Sequence, residues 1–329
     1  MKGILICGEP KEKKITSVSK ELITTGKGLS SVLDQSLDFL LIGEKCENAA
    51  IEAANLGVDR VLTVQGPGSS DLHPERLVAI LAQVCKQNDP MVILLGQTDM
   101  GRDVAPRLAA KLGANVCMDC VDLVFDESSK ELILTKPVYG GNAMAQWALK
   151  NHRQLVVTMR PRSEKPAEPD PSHKGRMESI SIEFEETQIR TQLMETTCTE
   201  GKGIKLEEAK VIVAGGGGIG GSEGFGLIQE LAVVLGAAVG ITRVPSDENW
   251  MPKSLEIGQT GHMVSPNLYI AVGISGAPQH LSGCSHSKII VAINKDPEAS
   301  IFGMADFGIV GDYREVLPAL IEKLKALKE

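Results

Sequence analysis

Val211-Ile212-Val213-Ala214-Gly215-Gly216-Gly217-Gly218-Ile219-Gly220-Gly221 opens the last third of the chain, an apolar strand running into a glycine turn ahead of a helix expected from Glu223 to Leu235. Strand, turn and helix in that order make one βα unit of a parallel sheet. Gly215, Gly217 and Gly220 satisfy Gly-x-Gly-x-x-Gly, a spacing that lets backbone N–H groups approach a phosphate at a helix N-terminus. So many glycines satisfy several templates, however, and a tight crossover that needs only close packing explains the motif as well. Strands follow at Leu268 to Val272, Ile289 to Ile293 and Gly308 to Val310. The last helix, from Asp312, carries Tyr313, Val316, Leu317, Leu320, Ile321 and Leu324 on one core-facing side.

Working outward, the same alternation fills the amino-terminal part. Ile4 to Gly8, Leu37 to Gly43, Arg60 to Val64 and Met91 to Gly96 read as buried strands, with helical spacing at Ala49 to Leu56, Pro74 to Lys86 and Arg102 to Leu112. This predicts an α/β fold with parallel sheets covered on both faces. After Val116 the chain turns strand-rich, at Leu132 to Val138, Leu155 to Met159 and Ile180 to Phe184, which extends that sheet or adds an antiparallel edge. Pro161 to Arg176, with four prolines among charges, reads as an exposed loop, and Glu195 to Lys205 as the linker. The 329 residues then divide into domains at 1–203 and 204–329.

Composition narrows the function. Lys and Arg number 34 against 42 Asp and Glu, a net charge of −8, so no cationic face for nucleic acid is expected. The 34 glycines against 11 aromatics (2 Trp, 3 Tyr, 6 Phe) point to a bound ligand held by close backbone approach rather than to base stacking. Seven scattered cysteines suit a reducing compartment. With no leader pattern after Met1, and only twelve apolar or small residues between Glu230 and Arg243, the expectation is a cytoplasmic protein without a membrane span. Cys117-Met118-Asp119-Cys120 is a C-x-x-C, but Val116 to Leu123 reads as a strand that divides the thiols only partly between its faces, and the pair reads as structural. The histidines lack metal-ligand spacing, so no metal is expected.

The polar groups worth attention lie just after strands. Ile257-Gly258-Gln259-Thr260-Gly261 precedes Leu268-Tyr269-Ile270-Ala271-Val272-Gly273-Ile274-Ser275-Gly276-Ala277-Pro278-Gln279-His280-Leu281, where a buried strand delivers small residues to the crevice in which open α/β sheets bind ligands. A lone histidine is more often a satisfied structural one, but behind Ser-Gly-Ala-Pro-Gln the balance favours a ligand role for His280. Val291-Ala292-Ile293-Asn294-Lys295-Asp296 and Gly308-Ile309-Val310-Gly311-Asp312 bring two further strand ends to the same place.

These stretches, together with Ser287-Lys288, Ile301-Phe302 and Ala305-Asp306, closely resemble the alpha subunit of the electron transfer flavoproteins. Pro106 to Leu112 and Tyr139 to Ala143 resemble that family's first domain more thinly. The resemblance implies a flavodoxin/HUP-like parallel-sheet domain followed by a Rossmann-like FAD-binding domain. It also implies non-covalent FAD, a beta subunit as heterodimer partner, and electron exchange with flavoproteins of the acyl-CoA dehydrogenase type.

Residue by residue, Thr242-Arg243 falls where the family has Ser-Arg beside the flavin ring, a cation suited to the negative charge that reduction adds. Thr260, with Ile257, Gly258 and Gln259 beside it, matches the threonine near N5, and His280 the histidine facing the pyrimidine carbonyl. Ser275, Gly276, Ala277, Pro278 and Gln279 match the wrap around the ribityl and pyrophosphate, while Asn294, Asp312 and Tyr313 match positions lining the adenosine. Two departures stand out: Gly217 replaces an arginine that many members carry in the glycine turn, and Thr242 replaces the serine. No catalytic acid or base is required of such a carrier. Two other readings compete. A nicotinamide-dependent oxidoreductase using the Gly215 turn would need an acidic ribose ligand where Thr242-Arg243 stands, and a nucleotide-sensing binding module would be colourless.

Overall fold

The computed structural model describes residues 3–11, 14–43, 46–64, 73–141, 143–149, 154–170, 173–182, 189–191, 194–195, 204–206 and 209–327. The chain forms two compact units, Met1–Val138 with Met144–Thr197, and Tyr139–Ala143 with Cys198–Glu329. The expected linker therefore falls largely outside the described residues, and Tyr139–Ala143, inside the expected first domain, groups with the second unit.

The first unit runs β1 (Ile4–Cys7), β2 (Pro10–Lys11), β3 (Lys14–Ile15), α1 (Ser17–Leu33), β4 (Leu37–Ile42), α2 (Glu47–Ala54), β5 (Arg60–Val64), α3 (Pro74–Asn88), β6 (Val92–Gly96), α4 (Asp99–Leu112), β7 (Asn115–Cys120), β8 (Asp122–Asp126), β9 (Glu131–Val138), β10 (Ala143–Ala148), β11 (Leu155–Met159) and β12 (Arg176–Ile180). Seven of these strands form one parallel sheet in the order β12-β5-β4-β1-β6-β11-β7. Both strand-rich alternatives are realised: β11 joins the parallel sheet, while β8, β9 and β10 make a separate small sheet with β8 and β9 antiparallel. β12 begins at Arg176, ahead of the expected Ile180, and Phe184 lies outside the described residues.

Helix α1 is absent from the sequence reading. Its seventeen residues, SVSKELITTGKGLSSVL, are rich in Ser, Thr and Gly, which favour caps and turns over helix interiors. Tertiary packing overrides propensity here: Thr16 caps Ser19 N–H, Leu22, Ile23 and Leu29 are buried, and a Cβ on Gly26 would come within 2.6 Å of Leu37 Cδ1. The topology demands such a segment, because parallel β1 and β4 can only be joined by a crossover. The proline-bearing loop after β11 is tied down by Thr24 Oγ1 donating to Lys165 O at 2.6 Å and Asp170 N–H donating to Asn55 O at 2.7 Å.

The second unit runs β13 (Val211–Gly215), α5 (Phe225–Leu235), β14 (Ala238–Ile241), α6 (Arg243–Asp247), β15 (Leu268–Val272), α7 (Pro278–Cys284), β16 (Ile290–Asn294), β17 (Phe307–Val310) and α8 (Tyr313–Ala326). All five strands are parallel, in the order β14-β13-β15-β16-β17. Alternation along the strands sends Ile212, Ala214, Tyr269 and Ala271 to one core and Val213, Ile270 and Val272 to another with Phe225, Leu317 and Ile321. Both faces are thus covered, as the continuous apolar runs require. Strand order reverses direction between β13 and β15, and the crevice outside the carboxyl ends at such a switch point is where doubly wound sheets take ligands. Among the described residues, no helix is long and apolar enough to cross a membrane.

Candidate functional site

The glycine turn after β13 is a packing device over its first half. A Cβ on Gly216 would lie 2.4 Å from Gly273 O, and one on Gly218 would lie 2.8 Å from the same oxygen. The turn therefore closes on the loop after β15, backbone against backbone. Its N–H groups go the same way: Gly216 donates to Val272 O and Gly218 to Gly273 O, both at 2.9 Å, while Ile219 and Gly220 donate within the turn. Four donors that a phosphate-binding turn would present are engaged by the protein. Tyr313 completes the closure, its buried hydroxyl donating to Ile219 O at 2.9 Å. A Cβ at Gly217 would meet the Val244 side chain, nearest at Cγ1, 3.3 Å away.

Polar side chains surround this closure at the strand ends. Beyond β14, Thr242 takes the N-cap position of α6 without using its side chain as a cap, and Arg243 follows with its side chain 71% exposed, paired through Nε to Asp247 at 3.1 Å. Strand β14 thus ends in a hydroxyl and a cation, with no acid for a nicotinamide ribose. A cavity of about 440 Å³, lined by Ser246, Asp247, Asn249, Trp250, Met251, Pro252 and Lys253, opens next to this cation.

Ile257 to Thr260 is stitched between β14 and α7. Ile257 N–H donates to Ile241 O at 2.9 Å, and Gln259 N–H to Gln279 O at 2.8 Å, and both glutamines are exposed. Thr260 is held by a partner that sequence did not suggest: its hydroxyl donates to Oε1 of Glu256, a buried carboxylate, at 2.6 Å. Its lone pairs, not its proton, are what Thr260 has left to offer a ligand.

His280 is placed differently from the expectation of a group facing a ring carbonyl. It is buried, Nδ1 donating to Ile257 O at 2.9 Å and Nε2 accepting from Tyr269 Oη at 2.9 Å. The carbonyl can only accept, so Nδ1 carries a proton, and burial, which disfavours a charged ring, leaves Nε2 bare. Burial pulls its pKa down to about 4. Both ring nitrogens are satisfied within the protein, which is the structural role that the sequence reading weighed and set second. Ile257 and Tyr313 also point inward, as packing and tethering groups.

Ser275, Ala277, Pro278 and Gln279 are exposed along the loop from β15 into α7, and a Cβ on Gly276, at φ 89°, would strike Ile301 N at 2.2 Å. Asn294 braces that loop, Nδ2 donating to Ile274 O at 2.9 Å. Asp312 caps α8, accepting from Arg314 N–H at 2.9 Å. Glu256 and Tyr269 are the partners, of Thr260 and His280, that sequence reasoning missed.

A dinucleotide with an anionic pyrophosphate and a ring that becomes more negative on reduction needs a cation, hydroxyl and amide donors, and backbone unobstructed by Cβ atoms. Arg243, Thr242, Ser275, Gln259 and Gln279 supply those donors at the strand ends, and Gly221, where a Cβ would find nothing within 4 Å, supplies open backbone, so the residues fit FAD.

Known proteins agree. The electron transfer flavoprotein domain profile matches residues 4–184, and the electron transfer flavoprotein FAD-binding domain profile matches residues 205–285. The chain is 40% identical over 326 residues to electron transfer flavoprotein subunit alpha of Bacillus subtilis, covering 99% of this chain and 98% of that one. It is likewise 40% identical to the subunit alpha of Thermoanaerobacterium thermosaccharolyticum, over 99% of both chains. It is 35% identical to the LctC subunit of lactate dehydrogenase (NAD(+),ferredoxin) of Acetobacterium woodii, over 98% of this chain and 77% of that one.

Proposed function

The chain belongs to the electron transfer flavoprotein alpha-subunit family, and from this we propose that it carries electrons as one half of a heterodimer with a beta subunit. Its counterparts are flavoprotein dehydrogenases, acyl-CoA dehydrogenases among them, and a further donor or acceptor. The second unit binds FAD, which supplies reversible electron uptake, and the protein supplies position and potential. Arg243 is the observation that carries this reading: an exposed guanidinium at the end of β14, where charge added to a bound ring is stabilised by a fixed cation. Thr260, fixed as an acceptor by Glu256, would offer its lone pairs to an N–H donor of the bound group. The loop carrying Ser275, Ala277, Pro278 and Gln279, turned at Gly276, would hold the pyrophosphate, and Asp312 the ribose. His280 and Tyr269 support the Ile257 segment from beneath rather than touching the ligand.

The likeness to LctC, whose name includes NAD(+) and ferredoxin, motivates a variant in which the complex splits electron pairs between two acceptors. Co-expression with a beta-subunit candidate, followed by an absorbance spectrum and reductive titration, tests both. One FAD per heterodimer is expected for simple transfer, two flavins for the splitting variant, and a colourless complex overturns the reading.

A further inference from the structure

Away from the FAD site, β7 carries a pair of reactive side chains in an arrangement that a regular strand forbids. Residues three apart on a strand face opposite sides. In β7 the pairing with β11 shifts register: Cys117 pairs with Val157 but Cys120 with Met159, and Asp119 between them sits at φ 63°. This is a bulge, one extra residue that re-aims the side chains around it.

The left-handed Asp119 is held from three directions. Its N–H donates to Thr158 Oγ1 at 2.8 Å, and its carboxylate takes Nε of Arg160 at 2.7 Å together with Nη2. Arg160, almost fully buried, ties the far side through its own N–H to Cys120 O at 2.7 Å. The outcome is that the two thiols meet, Cys120 Sγ donating to Cys117 Sγ at 3.3 Å. The sequence reading has the thiols partly divided between the strand faces, and the bulge instead brings them into contact.

The two sulfurs are unequal. Cys117 is half-buried, whereas Cys120 lies in the core. The Cys120 S–H and the charge of Lys136 on β9 stabilise the Cys117 thiolate and bring it down to about 7, and the same contact with burial pushes Cys120 up. The other described cysteines, Cys7, Cys46, Cys85 and Cys284, are buried and their thiols are pushed up by that burial. One accessible nucleophilic sulfur with a resolving thiol in contact is the arrangement of a dithiol redox couple. A tetrahedral metal site would need further ligands, and the described residues hold no group of three or more His, Cys, Asp or Glu able to hold a metal ion.

We propose that Cys117 and Cys120 form a redox-active dithiol whose substrates are low-molecular-weight disulfides. The Cys117 thiolate attacks one sulfur of the small disulfide, whose S–S bond breaks to release one small thiolate and leave a mixed disulfide on Cys117. Cys120 gives up its proton and attacks the Cys117 sulfur. The Cys117–Cys120 bond forms and the second small thiolate leaves, taking that proton as a thiol. Two electrons pass from the protein dithiol to the small disulfide, and a dithiol reductant reverses the reaction. The step uses no flavin and stands or falls apart from the function proposed above.

The full-length protein is equilibrated with glutathione buffers of graded oxidation, acid-quenched, alkylated, digested and read by mass spectrometry. The expected result is a reversible link between the peptides bearing Cys117 and Cys120. Iodoacetamide should also alkylate Cys117 in the reduced protein at least about tenfold faster than Cys7, Cys46, Cys85 or Cys284. Cys120→Ala should trap glutathione on Cys117, and Cys117→Ser should abolish both products. The proposal is overturned if no such link forms in the wild-type protein, a readout that requires no variant to fold, or if glutathione distributes over the other cysteines as readily as over Cys117.

Discussion

Arg243 stands 71% exposed with one carboxylate partner on its own short helix, so it makes little contribution to folding and is available to a ligand. Replacing it with Ala should leave the melting temperature nearly unchanged while lowering the potential of bound FAD. For a one-electron step each tenfold loss of preference for the reduced form is about 59 mV, so a shift of that order is expected in a spectroscopic redox titration. An unchanged potential would remove Arg243 from its assigned role. His280 makes a different kind of prediction. Its ring is held neutral, with a pKa near 4 against the ordinary 6.5, so between those values the unfolded chain binds a proton that the folded chain does not. Stability from this group is complete above about pH 6.5, declines as pH falls, and levels off below about 4, a span on the order of 3 kcal/mol. Urea unfolding of the flavin-free chain at several pH values, followed by Trp250 fluorescence in a Trp147→Phe background, should show that decline, and His280→Gln should flatten it. Neither partner of His280 was readable beforehand. Tyr269 occupies an ordinary core position of a buried strand, and nothing in a linear sequence places its hydroxyl against a ring eleven residues away.

At the scale of elements, the buried parallel strands and their order of appearance were legible, because they are continuous apolar runs punctuated by glycine, whereas β2, β3 and β10 were not, and β7 and β8 read as one strand. That the polar candidates follow the strand ends was legible for the same reason, since they stand where those apolar runs stop. Helix α1 was not, since its Ser, Thr and Gly favour caps and turns over helix interiors, and packing on β1, β6 and β4 holds it helical. The bulge in β7 was not, since it depends on Arg160 and Thr158 reaching Asp119 from another strand. The glycine turn was legible as an element but ambiguous in purpose, and the structure divides it. Gly216 and Gly218 face backbone atoms that cannot retreat, whereas Gly220 has open space and only a positive φ of 81°. Gly216→Ala should therefore destabilise the second unit by about 1 to 3 kcal/mol and loosen FAD, whereas Gly220→Ala should be milder, about 1 kcal/mol, with FAD retained. Chemical denaturation of the two variants side by side measures the difference. Equal losses would mean that backbone conformation, not the closure on Gly273, decides what the turn requires.

At the scale of the molecule, each unit has its own pair of cores on the two faces of its own sheet: Ile4, Ile6 and Phe39 against Leu5, Leu40 and Leu95 in the first, Tyr269 and Ala271 against Val213 and Phe225 in the second. The strand ends that fit FAD all belong to the second unit. A ligand stabilises only the folded unit that binds it, by RT ln(1 + [L]/Kd), which at a hundredfold excess over Kd is about 2.7 kcal/mol. Heating the isolated chain should thus give two transitions in calorimetry, and added FAD should raise only the one reported by Trp250, leaving the other in place. If both transitions rise together, the binding free energy is shared between the units, and the residues assigned here on β13 to β17 are not sufficient to hold the cofactor.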